Sequence, residues 1–378
     1  MRRINIISLL IGLCSLATAL LIPAIASPYT PLNVARVPLA DQSDTAQSLA
    51  TRTALQQVLV KLAGSSSVLV DDRTQALLRD SHKFVEATRF VSNPEPRLEV
   101  EFNRDKLMFW LKRNALPLMG DLRPSVLVWM IVEDPSTGER IVLNEQSTHP
   151  LLAQFIAKLD ERGLKAQFPL YDLTDLSVVS DVDVWGQFVD VLYLASERYQ
   201  TDYVMALKLH VNPFLEWQVD SFIKQQDSLK LQRESNVDPT HLVASVVNQY
   251  AETVAQDYAL DTSLFANNAQ IQAHIEVLGI DSIAVLADVM DNLMGLSIIE
   301  SLSLTSQKGQ KSVFLASLLG PVEQVVAMIR KRPELSVMDT YTPHKDSRAT
   351  PSVPATVTAS TASTAVVLPK ITLARTVN

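Results

Sequence analysis

Cysteine and glycine are scarce in this 378-residue sequence, and their scarcity excludes several chemistries. The single cysteine, Cys14, lies within the first apolar stretch, so the rest of the chain has no thiol nucleophile, disulfide or cysteine-ligated metal. All ten glycines are isolated, and neither G-x-G-x-x-G nor G-x-x-x-x-G-K-[ST] occurs. The nucleotide-binding classes that depend on such phosphate-binding loops are therefore excluded.

Metal-binding and nucleophile motifs are also missing. The six histidines form neither H-x-x-x-H nor H-E-x-x-H, and no G-x-S-x-G pattern occurs. The sequence accordingly predicts no catalytic residue, no metal and no cofactor. A net charge of −8 argues against nucleic-acid binding, because nucleic-acid-binding proteins present a basic face.

The N-terminus has the order of a secretory signal. A start with two arginines is followed by the uncharged apolar run Ile4–Ile22 and by small residues that end at Ala26. This order predicts a signal peptide over residues 1–26, cleaved between Ala26 and Ser27. The alternative is an uncleaved membrane anchor, because the apolar run is almost long enough to span a bilayer. Membrane attachment is expected only in that case.

The stretch Ser125–Val132 is the strongest structural signal in the chain. It is a short, continuous apolar run between Pro124 and the turn-like sequence EDPSTGE, which is typical of a strand buried on both faces. A second apolar strand is predicted at Tyr203–Val211, and helical patterns lie between and after the two strands. These strands and helices predict a central domain over residues 119–264 with a mixed α/β sheet.

Two smaller modules are predicted on either side of this sheet. Residues 30–118 show the order β-α-β-β-α, and residues 268–340 show the order β-α-β-β-α-β of a ferredoxin-like domain. The predicted fold class is therefore α/β and α+β in a multi-domain chain. Residues 342–378 are rich in Thr, Ser, Ala and Pro and lack aromatic residues, so we expect a disordered tail.

The strongest polar cluster lies in the segment YDLTDLSVVSDVDVW, between a predicted strand and a helix. Several carboxylates close together suit a calcium site or a general acid/base pair, although the spacing of a calcium-binding loop is absent. The same aspartates also suit helix N-termini. Loops beyond strand ends favour binding, so we predict that this segment borders a partner-binding surface. The candidate residues are Asp172, Asp175, Asp181, Asp183 and Trp185.

Four blocks of the sequence resemble one bacterial family. The blocks VPLADQSDTAQSLATRTALQQVLVKLAGSSSVL, RPSVLVWMIVED, DVWGQF and ASERYQTDYVMALKL occur in order between about Val34 and Leu209. They are similar to an exported family seen mainly in gammaproteobacteria, the domain of unknown function 2066. The family has no established activity, so the resemblance implies no catalytic residue. It implies a periplasmic location.

Three functions are consistent with the sequence. The leading hypothesis is a non-enzymatic periplasmic protein that binds another envelope protein or a cell-wall component. The alternatives are a periplasmic hydrolase that uses the carboxylates of Asp172–Asp183 and a small-ligand carrier with a pocket between domains. An enzyme needs convergent groups in a cleft, whereas an interaction protein needs an exposed apolar patch. The sequence leaves the oligomeric state open.

Overall fold

A computed structural model describes residues 30–92, 95–121, 123–262, 271–330, 335–341 and 368–375. The predicted signal peptide and its cleavage site at Ala26 and Ser27 lie outside the described residues, as does the tail segment 342–367. All helices and strands below belong to the unit that begins at Leu32. Among the described residues, no helix is both long enough and apolar enough to cross a membrane.

The first module is a three-stranded antiparallel sheet covered by helices. Its strands pair in the order β1-β3-β2. Ser43 accepts a backbone hydrogen bond at the start of the long helix α1, and Gly64, with a φ of 82°, ends it. The elements are β1 (Val34–Pro38), α1 (Asp44–Ala63), α2 (Asp72–Arg79), β2 (Val85–Val91), β3 (Arg97–Phe102) and α3 (Arg104–Arg113).

The central sheet has five strands in the order β5-β4-β6-β7-β8, with β4 parallel to β6 and the other pairs antiparallel. Its strands are β4 (Val126–Glu133), β5 (Arg140–Leu143), β6 (Tyr203–Val211), β7 (Trp217–Gln225) and β8 (Ser228–Asn236). Its helices are α4 (Pro150–Glu161), α5 (Leu173–Leu176), α6 (Asp181–Gly186), α7 (Val189–Ser196) and α8 (Pro239–Tyr258).

The predicted two-sided burial of β4 is confirmed. Val128 and Met130 belong to the core beneath α4 and α8, whereas Trp129 and Ile131 belong to the core beneath α6 and α7. Strand β8 was not predicted, because its apolar residues are confined to Leu229 and Leu231 and the rest of the strand is polar. The helix predicted after Asp183 is divided into α6 and α7 at Gln187, whose φ of 51° ends the first helix.

The C-terminal sheet confirms the predicted β-α-β-β-α-β order but contains an additional strand. The sheet order is β10-β11-β9-β13-β12, so β13 lies between the first and the fourth strands of the ferredoxin-like unit. The elements are β9 (Ile271–Leu278), α9 (Ile283–Met294), β10 (Ile299–Lys308), β11 (Lys311–Leu318), α10 (Val322–Ile329), β12 (Leu335–Tyr341) and β13 (Lys370–Arg375).

The expectation of disorder throughout residues 342–378 is wrong for β13. This strand pairs parallel with β9 and antiparallel with β12, and the side chains of Ile371 and Leu373 are fully buried. Lys370 also forms an ion pair of 2.7 Å with Glu276 on β9. The tail as a whole is polar, so its composition did not indicate a strand in this short segment, in which apolar residues alternate.

The first module and the central sheet meet at a buried arginine. Arg162, directly after α4, donates hydrogen bonds to the backbone oxygen of Gly64 at 3.0 Å and to Glu252 at 2.8 Å. The Glu252 carboxylate also accepts from the backbone N–H and the hydroxyl of Ser66, each at 2.9 Å. The ends of α1 and α4 are thereby joined to the middle of α8. The boundaries at 30–118, 119–264 and 268–340 stay predictions.

We predict that the C-terminal strand contributes to folding stability. The substitution Leu373→Ala should reduce the free energy of unfolding of the C-terminal sheet by about 2–5 kcal/mol, because it leaves a cavity at a fully buried position. Thr372→Ala, at a half-buried position on the opposite face, is the matched control. Hydrogen exchange of the β9 amides measures the effect. Equal exchange in both variants would contradict an inserted β13.

Candidate functional site

The predicted acidic segment lies on one face of the central sheet. Gln167 forms a single parallel bridge to Leu127, where the sequence predicted a longer strand. The chain then forms the short helices α5, α6 and α7. Helix α6 packs against β4, β5 and β6. Trp185 on α6 contacts His210 near the carboxyl end of β6. Binding sites of open α/β sheets favour this end of parallel strands.

Asp172 and Asp175 share one arginine. Asp172 accepts two backbone hydrogen bonds, of 3.0 and 3.1 Å, at the start of α5. Arg198 donates to Asp172 at 2.8 Å and to Asp175 at 2.9 Å. The buried carboxylate of Asp175 also accepts from the backbone N–H of Tyr171 at 2.8 Å and from the hydroxyl of Tyr199 at 2.6 Å. This network fixes α5 against the segment between α7 and β6, which contains Arg198 and Tyr199.

Asp181 and Asp183 form contacts at the start of α6. The hydroxyl of Tyr171 donates to the carboxylate of Asp181. Ser180 and Asp183 form a capping box, in which the hydroxyl of Ser180 accepts from the backbone of Asp183 and the carboxylate accepts from the backbone of Ser180 at 2.8 Å. Both carboxylates also lie at the positive end of the helix, which favours their ionised form.

Local contacts shift the pKa values of Asp172, Asp183 and Tyr199. Hydrogen bonds from Arg198 hold the pKa of Asp172 well below its usual value of 3.8. Hydrogen bonds from Ser180 lower the pKa of Asp183. Burial, reinforced by the hydrogen bond to Asp175, raises the pKa of Tyr199 to about 12. The carboxylates are therefore hydrogen-bond acceptors, and these contacts account for them as helix caps and ion-pair partners.

Trp185 is surrounded by cations. The guanidinium carbon of Arg140 lies 3.7 Å from the centroid of the indole ring, and the ammonium nitrogen of Lys208 lies 5.2 Å from it. The ring of His210 meets the indole edge-on, with the centroids 5.7 Å apart. Cations close to the face of an indole ring are attracted by its quadrupole. The half-buried Trp185 thus joins α6 to β5 and β6.

An ion-pair network continues from this tryptophan across the sheet. Lys208 lies 3.2 Å from the buried carboxylate of Asp220, which also binds Arg233. Burial alone would raise the pKa of Asp220, but the hydrogen bonds from Arg233 and Lys208 outweigh it, so the net shift is downward. Burial and then the charge of Lys208 lower the pKa of His210. Its Nδ1 atom is buried and has no hydrogen-bond partner in the described structure.

The sequence analysis identified Trp185 but missed the groups around it. The alternation of β6 already indicated that Lys208 and His210 share a face. No local pattern indicated Arg140 or Asp220, because they reach Trp185 and Lys208 only through the pairing of distant strands. Of the predicted residues, Asp172, Asp175, Asp181 and Asp183 lie together near α5 and α6, whereas Trp185 belongs to the cation cluster.

Metal sites and ligand pockets have characteristic requirements of ligand set and size. Within the described ranges, no group of three His, Cys, Asp or Glu side chains could hold a metal ion. A cleft of 160 Å³ lies beside Phe90 and Pro96 in the first module, below the roughly 300–1,000 Å³ typical of ligand pockets. Its carboxylate, Asp41, accepts a hydrogen bond from the backbone of Ser43.

The helices α5–α7 and the loops beside them carry a concentration of exposed apolar side chains. Leu173 is 86% exposed and Val182 is 66% exposed, although each lies within two residues of an aspartate of the acidic segment. We call this the α5–α7 surface, and its exposed apolar residues are Leu170, Leu173, Leu176, Val178, Val182, Phe188 and Leu194. An apolar surface bordered by charged residues is typical of a protein-binding site.

We predict unequal roles for the two aspartates that bind Arg198. Asp175→Asn should reduce the free energy of unfolding by about 1–3 kcal/mol, because it leaves buried hydrogen-bond donors without an ionised acceptor. Asp172→Asn should have a smaller effect, since this carboxylate is exposed. Urea unfolding at pH 7 measures both variants. Equal effects would contradict the buried network.

The stability contributed by Asp172 should also depend on pH. Its pKa in the folded state lies below the ordinary 3.8, so its contribution is complete above that pH and is lost as the pH falls further. Unfolding midpoints of the wild type and of Asp172→Asn should therefore converge below about pH 4. A difference that persists at lower pH would contradict the ion pair with Arg198.

Comparison with known proteins identifies one region of the chain. Residues 26–120 match a family model described as a domain of unknown function (DUF8605). No curated protein matches the chain. The match confirms the coarser part of the expected resemblance, an uncharacterised domain, but the family differs from the domain of unknown function 2066. The first module, with its sheet β1-β3-β2, is therefore similar to an uncharacterised domain.

Proposed function

We propose that this protein is a non-enzymatic, exported envelope protein that binds another protein through the α5–α7 surface. The observation that carries this proposal is the group of exposed apolar side chains on three consecutive short helices, including Leu173 and Val182. Burying such residues against a partner removes apolar surface from water, which is the main favourable term in protein association. The signal-like order of the N-terminus, an apolar run that ends in small residues at Ala26, supports export to the periplasm.

The charges beside this surface suggest the chemistry of the partner. Asp172, Asp181 and Asp190 are exposed and lie on or beside the same helices. Exposed carboxylates contribute more to association rate and specificity than to affinity, so they favour a partner with a basic rim. Stacking of a cell-wall sugar on Trp185 is disfavoured, because Arg140 covers the ring of this residue.

The acidic segment contributes indirectly to the proposed binding surface. Its carboxylates stabilise the short helices, and the helices in turn present the apolar side chains. The hydrolase alternative needs a carboxyl group that exchanges a proton near neutral pH. The contacts of Asp172 and Asp183 instead lower their pKa values. The protein-binding hypothesis therefore has the stronger support from the geometry.

We predict that the apolar side chains determine partner capture. The double substitution Leu173→Ser with Val182→Ser should weaken capture at least about tenfold, because burying each large apolar side chain against a partner contributes about 1.5–3 kcal/mol. The fold should be unaffected, since both side chains face solvent. Crosslinking in intact cells followed by affinity capture measures the effect. The matched control is Val70→Ser, which is 83% exposed in the first module.

The outcomes of this experiment are distinct. Loss of the captured partner in the double variant, but not in the control, supports the assigned surface. Capture that also weakens with rising salt supports a basic rim on the partner. If the folded double variant captures the wild-type set of partners at low salt, the α5–α7 surface is not the binding site.

We also predict that the mature protein begins at Ser27. The apolar run Ile4–Ile22 and the small residues up to Ala26 provide the motivation. Intact mass measurement of the protein from the periplasmic fraction checks this cleavage. A protein that retains Met1 and remains in the inner membrane would show that the segment is an anchor.

A further inference from the structure

Strand β8 is a long sheet edge without a bulge or a proline. Natural edge strands are kept short, bulged, interrupted by proline or charged, because an open edge pairs with other strands. The edge strands β1 and β5 have only 5 and 4 residues, and β2, β10 and β12 contain register irregularities. Among the edge strands of the described chain, β8 alone combines 9 residues with an unbroken register, from Ser228 to Asn236.

The backbone of β8 has hydrogen-bonding groups that face away from β7. Gln225 pairs with Ser228 across a two-residue turn. In such a hairpin the residues beside the turn bond to each other, and bonding alternates along the strand. The N–H and C=O groups of Leu229, Leu231 and Arg233 therefore point outward. A second strand that approaches this edge can form backbone hydrogen bonds with these groups.

The side chains of β8 favour association on one face and specificity on the other. Leu229 and Leu231 are 45% and 69% exposed, since α6 and α7 cover β4 and β6 but leave this edge open. On the opposite face, Lys230 and Glu234 are half-buried beside α8. The strand thus carries exposed apolar groups on one face and a pair of opposite charges on the other.

We propose that β8 pairs antiparallel with β8 of a second copy of this chain, joining two central sheets across a twofold axis. The register in which all 9 residues pair places Gln232 on the axis and Ser228 opposite Asn236. In that register, Lys230 of each copy lies opposite Glu234 of the other. The strand is therefore complementary to itself in charge, which is the condition for an interface that repeats one surface on both copies.

The same register brings the apolar side chains together. Leu231 lies opposite Arg233 of the other copy, and the two Leu231 side chains are diagonal neighbours across the axis. Cross-strand pairs of opposite charge and diagonal apolar contacts each stabilise antiparallel sheets. This inference concerns an edge of the sheet and does not depend on the proposed function of the α5–α7 surface.

A cysteine on the axis tests the register directly. In a Cys14→Ser background, Gln232→Cys should give a disulfide-linked dimer on mild oxidation, because residues opposite one another in a sheet lie within disulfide range. The matched control is Ser228→Cys, whose two copies would lie about 27 Å apart along the strands. The full chain with each substitution is analysed by non-reducing electrophoresis. Crosslinking of Ser228→Cys as efficient as that of Gln232→Cys would overturn the register.

Charge reversal tests the pairing in solution. Lys230→Glu and Glu234→Lys should each weaken self-association at least about tenfold, because each change puts like charges opposite one another twice. An equimolar mixture of the two variants should associate as tightly as the wild type, since every pair is again of opposite charge. Sedimentation velocity over a concentration series measures all four samples, including the wild type.

The mixture also controls for folding, because two misfolded variants would not restore association. Recovery of dimers only on mixing supports the β8 interface. A wild-type protein that stays monomeric throughout the series overturns the proposal. So does a dimer whose strength neither variant changes, since its interface must then lie elsewhere.

Discussion

The burial of β4 on both faces is the constraint on which the central part of the structure depends. A strand with apolar side chains on both sides requires a helical layer above and below it. Helices α4 and α8 form one layer, and α6 and α7 form the other. The single polar atom of Trp129 is accommodated by a hydrogen bond of 3.0 Å from its Nε1 to the hydroxyl of Ser196 on α7. The second layer therefore has a fixed position over the strand.

The second helical layer has different properties from the first. Helices α5, α6 and α7 have 4, 6 and 8 residues, so none can be stable without caps and tertiary contacts. Asp172 and the pair Ser180 and Asp183 supply the caps, and Arg198 joins α5 to the end of α7. Short helices bury less of their surface than long ones. This explains why the same segment presents both ionised carboxylates and exposed leucines.

Several buried charged side chains of the described chain form ion pairs. Arg162 binds Glu252, Asp220 binds Lys208 and Arg233, and Glu276 binds Lys311 and Lys370. Losing one partner of such a group is costly, because the remaining charge stays buried. Two of these networks join separate parts of the chain: the first connects the first module to α8, and the third connects the C-terminal strand to β9. The Arg162–Glu252 pair therefore depends on contacts from both the first module and the central sheet.

The sequence by itself determined the elements whose signals are local. The apolar run of β4 and the order of the C-terminal elements were predicted, because hydrophobic periodicity acts over a few neighbouring residues. Only the tertiary structure decided that β8 forms an edge of the central sheet and that Lys370–Arg375 enters a sheet. It also decided that Arg140 covers Trp185. Each of these results depends on contacts between segments that are distant in the chain. Such contacts leave no pattern in the local sequence.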